Sequence, residues 1–96
     1  MTEEKKQAYE NKIQAQLDEW QAEINKLKAQ AQEKGADAQI AYNEQLAKLE
    51  EKKDNAAAKL DAVKSASDNA WQDLKGGVQQ ATQDLSDVLD SARRQF

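Results

Sequence analysis

Larger apolar residues recur along this chain at alternating spacings of three and four. The series opens with Tyr9 and runs through Ile13, Leu17, Trp20, Ile24, Leu27 and Ala31. It resumes as Tyr42, Leu46, Leu49, Lys53, Ala56, Leu60 and Val63. A last stretch carries it through Ser67, Ala70, Leu74, Val78, Ala81 and Leu85, then Val88 or Leu89, Ala92 and Phe96. A stripe this narrow has the a/d spacing of a coiled coil; a helix on a thick globular core shows a wider face. Between Ala31 and Tyr42 the stripe passes Gly35 and Ala38. The steps Ala38–Tyr42–Leu46 are two fours in succession, a stutter that a continuous helix absorbs by local unwinding of the supercoil.

Two places interrupt the helical pattern. Ser65-Ala66-Ser67-Asp68-Asn69-Ala70-Trp71 is rich in N-cap residues. Ser65 with Asp68 resembles a capping box, and Ser67 as N-cap puts Ala66 and Trp71 at staple positions. A helix boundary is expected there. Lys34-Gly35-Ala36-Asp37 offers a second break, with Gly35 at C′ and Asp37 capping a new helix. One glycine inside a helix costs only about 1 kcal/mol, however, so this break competes with a continuous helix. Gly76-Gly77 sets a local weak point inside the last helix, or a close approach by a partner backbone.

Length decides between the architectures. An unbroken helix over 3–64 is over 90 Å long at about 1.5 Å per residue, and a helix over 68–94 covers less than half of it. The seam from Tyr9 to Ala31 then stays bare unless another chain covers it, and such a stripe does not stay wet. The expected fold is therefore one all-α domain over 1–96: an elongated, homo-oligomeric coiled coil with a shorter C-terminal helix after a break near 65–68. The oligomer seam is Ile13, Leu17, Trp20, Ile24, Leu27, Leu46, Leu49, Leu60 and Val63. The alternative is a three-helix bundle with turns near 35 and 66, which asks for wider apolar faces. Ala8, Ala15, Ala22 and Ala29, repeating at seven across from the seam, read as helix propensity on an exposed face or as a second, close helix contact.

Composition supports a helical chain and removes several chemistries. Among 96 residues there are 17 Ala and 13 Gln, 3 Gly and no Pro. Leu, Ile, Val and Phe together make only 15, too few for a thick core. Without Cys or His the chain lacks a thiolate nucleophile, a disulfide framework, the commonest metal ligand and the commonest neutral-pH base. An enzyme is not expected, nor are a cofactor or a small-molecule substrate. Asp84, Asp87 and Asp90 read as a solvated acidic stripe, since no turn of ligands encloses a cation. Net charge is −4 and no segment is basic, so no nucleic-acid surface is expected. No apolar run spans a bilayer, and no apolar stretch follows the charged start Met1-Thr2-Glu3-Glu4-Lys5-Lys6 as in a secretory signal. The expectation is a cytoplasmic protein.

A second functional reading concerns the last helix. Trp71, Leu74, Val78, Leu85, Leu89 and Phe96 form one apolar face, opposite Gln79, Thr82, Gln83, Ser86 and Asp90. That amphipathicity makes peripheral contact with a lipid surface the alternative function. Against it, interfacial helices usually carry Lys or Arg on the polar face, and residues 67–96 are net acidic. Arg93 and Arg94 are explained by the helix dipole.

Three stretches carry a family resemblance. They are Lys5-Lys6-Gln7-Ala8-Tyr9-Glu10-Asn11-Lys12-Ile13-Gln14-Ala15-Gln16-Leu17-Asp18-Glu19-Trp20, then Ala22-Glu23-Ile24-Asn25-Lys26-Leu27-Lys28-Ala29, then Ser67-Asp68-Asn69-Ala70-Trp71-Gln72-Asp73-Leu74-Lys75-Gly76-Gly77-Val78. Together they resemble a group of small bacterial coiled-coil-domain proteins, some of them labelled stress-response proteins. The resemblance implies a soluble, helical, non-enzymatic protein without catalytic residues. Gly35 departs from the pattern, which has a better helix former there.

Overall fold

The computed structural model describes residues 2–67 and 69–95, with side-chain environments over 4–67 and 69–94. The elements are α1 (Thr2–Glu33), α2 (Ala36–Ser65) and α3 (Ala70–Gln95). No strand occurs among the described residues.

The break at Gly35 is real, and it decides the architecture. Gly35 takes φ +100°, a conformation open to glycine and strained for residues with a Cβ. The chain reverses over Lys34 and Gly35 and lays α2 back along α1. The long helix expected over 3–64 is therefore not formed; the three-helix alternative, with turns near 35 and 66, describes the chain. The seam from Tyr9 to Ala31 does not wait for a second chain, because α2 covers it. α3 then returns along α2, giving a slender body of 52 × 19 × 17 Å.

α2 is the central helix. It packs along both neighbours, whereas the backbones of α1 and α3 approach each other at few points. That arrangement explains why narrow stripes suffice: α1 and α3 each need one seam, and only α2 serves two partners. Alanines complete the core, with Ala31, Ala56, Ala81 and Ala92 all buried among the larger side chains. Small residues let the helices lie close, so few large ones are needed to fill the space. Ile24, Leu49, Leu60, Val63, Val78, Leu85 and Leu89 are wholly enclosed, each contributing about 1.5–3 kcal/mol relative to exposure.

The boundary near 65–68 is present as expected, with α3 starting slightly later, at Ala70. Ala66 N–H donates to the Val63 carbonyl at 3.1 Å and Trp71 N–H to the Ser67 carbonyl at 3.2 Å. Ala66 and Trp71 both pack on the core, but α3 begins at Ala70 and not directly after Ser67. Ser65 ends α2 and so does not cap α3 as the capping box required; Asp68, its other half, lies outside the described residues. Trp71 also resets the seam: it turns inward, leaving Ala70 exposed and Leu74 37% exposed. From Val78 onward the expected series holds, with Leu89 buried and Val88 beside it half-buried.

Candidate functional site

Two sets of residues stood out in the sequence as separate surfaces, an oligomer seam and a lipid-facing stripe. The structure joins them. Ile13, Leu17, Ile24 and Leu27 from α1 and Leu46, Leu49, Leu60 and Val63 from α2 share one core with Trp71, Val78, Leu85 and Leu89 from α3. Trp20 is half-buried against the same core. Leu74 is exposed and stands outside it, and Phe96 falls outside the described residues. The two sets thus share one three-helix core, in which the seam residues of α1 and α2 face each other and the α3 residues pack mainly on α2.

The end of the bundle near residue 66 holds groups that the apolar pattern did not single out together. Tyr9 of α1 and Trp71 of α3 stack at a tilt, ring centroids 5.7 Å apart. The Lys75 ammonium sits 5.2 Å from the Tyr9 ring and 5.6 Å from that of Trp71, within the range of cation–π attraction. Neither the Tyr9 hydroxyl nor the Trp71 indole N–H, both buried, has a hydrogen-bond partner among the described residues. Burial pushes the Tyr9 phenol above its ordinary pKa, because the phenolate loses hydration there. Tyr9 was legible as the first member of the seam; its pairing with Trp71 depends on the fold.

Lys6 closes the same end. Its ammonium donates to the Lys64 carbonyl at 3.1 Å and the Ala66 carbonyl at 2.8 Å. These oxygens end α2, where carbonyls lack intrahelical partners and the helix dipole is negative. A cation borrowed from α1 thus caps the C-terminus of α2. Glu10, one turn on, lies 4.0 Å from the same ammonium.

Toward the other end the helices are tied by charge. Arg93 of α3 donates through Nε and Nη2 to both carboxylate oxygens of Glu23 on α1, and through Nη1 to Asp90 at 2.8 Å. The hydrogen bonds from Arg93 hold the Glu23 carboxyl below its ordinary pKa. Arg93, read in the sequence as a complement to the helix dipole, therefore also spans two helices. Lys28 and Glu50 make a second cross-helix pair, between α1 and α2. Acidic residues of α3 are engaged locally: Asp84 accepts from Gln80 at 3.0 Å and Asp87 from Gln83 at 2.9 Å. Among the described residues no group of three or more acidic side chains is placed to hold a metal ion.

Two open clefts flank these ties. One, of about 200 Å³, lies at the hinge end between Lys28, Ala31, Gln32, Gln39, Asn43 and Leu46. The other lies at the capped end between Lys6, Gln7, Glu10 and Lys64. At the first, Lys28, Ala31 and Leu46 already hold helices together, and at the second Lys6 and Lys64 do. The alanines at 8, 15, 22 and 29 are exposed on the outer face of α1. A Cβ on Gly76 would meet nothing within 4 Å, and one on Gly77 only Lys59 Cδ at 3.8 Å, so no neighbouring backbone within the chain requires these glycines. No described helix is long and apolar enough to cross a membrane. No family model matches the chain, and neither a curated protein nor a solved structure matches it.

Proposed function

We propose that this chain is a non-enzymatic structural or interaction protein of the coiled-coil type, working through helix–helix association with a second copy of itself. One observation carries the helix-association part of the reading, and the seam spacing alone carries association with a second copy. Among the described residues, every large apolar side chain except Ile40 and Leu74 lies in or against the single interhelical core. The chain commits its apolar side chains to holding helices together, and they repeat with the spacing that lets one helix recognise another. The resemblance in the Lys5 to Trp20 and Ser67 to Val78 stretches extends the proposal to a cytoplasmic protein of the bacterial stress response. Neither nucleic acid nor a small-molecule substrate has a part in it.

Thermal unfolding at graded concentrations tests the proposal. Self-association raises the melting temperature with protein concentration by mass action. A melting temperature unchanged over a hundredfold dilution overturns it.

A second reading, reversible lipid binding through α3, is favoured by one feature: α3 is the most one-sided of the three helices. It requires α3 to leave the bundle, since Trp71, Val78, Leu85 and Leu89 face inward. Co-sedimentation of the full chain with neutral and with anionic vesicles tests it. No recovery with either composition removes it.

A further inference from the structure

The buried faces of α1 and α2 bear a relation that a simple hairpin does not require. Ile13 and Leu49, Ile24 and Leu60, and Leu27 and Val63 are all buried, and each pair is separated by thirty-six residues. At 3.6 residues per turn that is ten turns of straight α-helix. If the chain were helical through Gly35, both faces would therefore lie on one side of a single rod. A reversing turn leaves the phase of the two flanking helices free, so this match is unexplained by the closed bundle alone.

The hinge itself is weakly held. It consists of Lys34 and Gly35 between two long helices. Gly35 has no side chain to cap the amides that open α2; the reversal is held by the backbone bonds Lys34 N–H to Gln30 O and Gly35 N–H to Gln32 O, at 3.3 and 3.2 Å, and by the Lys34 ammonium 5.6 Å from the Tyr42 ring. Winding the hinge into helix restores i to i−4 partners to groups that a helix end leaves unpaired. The flanking residues, Ala-Gln-Glu-Lys before and Ala-Asp-Ala-Gln after, are mostly good helix formers. Along the seam the hinge carries only small residues, Ala31, Gly35 and Ala38, which allow two backbones to cross closely.

We propose that the second copy is taken up by exchange of α1. The Lys34-Gly35 hinge winds into helix and α1 and α2 become one rod. Two rods then cross antiparallel at their hinges, each α1 lying on the partner's α2 and α3. The core contacts of α1 are remade between copies, as are the Lys6 cap, the Tyr9–Trp71 stack and the Glu23–Arg93 pair. The turn and the Lys34–Tyr42 contact across it are lost. The closed bundle prevails at low concentration, because an α1 tethered to its own α2 competes at an effective concentration in the millimolar range. The inference rests on the self-association proposed above and specifies its route.

Gly35→Ala tests it. Alanine is strained at φ +100° even though a Cβ there meets open space, whereas in a continuous helix it is favoured over glycine. The expected result is a dimerisation constant raised ~100-fold, counting two hinges per dimer. A second readout follows the route. Since the chain has no cysteine, labels at Lys5→Cys and Ser65→Cys report one intramolecular distance in chains diluted into unlabelled protein. The closed bundle keeps these ends together, as the 3.1 Å contact between Lys6 and Lys64 shows; the rod separates them by about 90 Å. Dimers with the long separation support exchange, as does return to monomer when Gly-Ser-Gly is inserted after Gly35. Dimers with the short separation overturn exchange and leave self-association standing. A Gly35→Ala chain that stays monomeric, or loses its helicity at every concentration, overturns exchange, and self-association is then judged from the wild-type melts alone.

Discussion

The two ends of this bundle are closed in different ways. Near residue 66 the turn is tied by side chains of α1 and α3 and carbonyls at the end of α2: Lys6 caps α2, Tyr9 stacks on Trp71, and Lys75 covers both rings. Near residue 35 the reversal depends on one glycine at positive φ, without a side-chain cap, and on the Lys34 ammonium over the Tyr42 ring; Ile40, just beyond the glycine, is 73% exposed. Both turns reverse the chain, yet only the one near residue 66 is tied by side-chain contacts between α1 and α3. The difference teaches where stability and change are divided. The end at residue 66 fixes α2 against α3, and the end at residue 35 is free to be remade.

Removing the anchor of the tied end has the largest expected effect. Trp71 is 3% exposed, so Trp71→Ala should cost about 3–5 kcal/mol in denaturant unfolding. A loss under 1 kcal/mol would erase the contrast between the ends. Lys6→Met keeps the aliphatic stem and deletes the ammonium that binds two carbonyls. It should cost about 1–2 kcal/mol, the scale of hydrogen bonds to a charged group, and should speed amide exchange around residues 64–67 and not around 30–39.

Acid weakens a different tie. The Glu23 pKa is lowered by Arg93, so the pair's contribution is fully present above the ordinary glutamate pKa and is lost as pH falls through the lowered one. The Arg93 side chain is 46% exposed, and solvent screening limits the contribution to less than about 1 kcal/mol. Glu23→Gln should remove that part of the acid dependence; an unchanged stability–pH curve contradicts the assignment. The smallest effect is expected at Tyr9. Its hydroxyl is buried without a partner among the described residues, so Tyr9→Phe should leave stability unchanged or raise it by up to about 1 kcal/mol. A marked loss would show that the hydroxyl is satisfied after all.

Helix content, the boundary after Ser65 and most of the core were legible from spacing and caps. What misled was the weight given to large side chains. Ala31, Ala56, Ala81 and Ala92 count little in an apolar tally, yet they let three slender helices close over Ile24, Leu49 and Leu60. Gly35 carries both answers: about 1 kcal/mol of helix propensity is too little for a sequence to choose between turn and rod. The inward turn of Trp71 at the expense of Leu74 follows from the tilted contact with Tyr9, which no local spacing encodes. The pairings of Lys6 and Arg93 likewise join residues far apart in sequence. Arg93 read as a complement to the helix dipole and Lys6 as part of a charged start until α1 lay beside the ends of α2 and α3.

The central claim is that one chain, by turning at Gly35, encloses its own seam. Small-angle scattering with mass determination over a dilution series tests it most directly. In the dilute limit the account predicts one chain of 10.8 kDa with a radius of gyration near the 15.6 Å of the bundle, apart from a hydration layer. A persistent multimer at the lowest concentration, with the radius of a rod about 95 Å long, would contradict it.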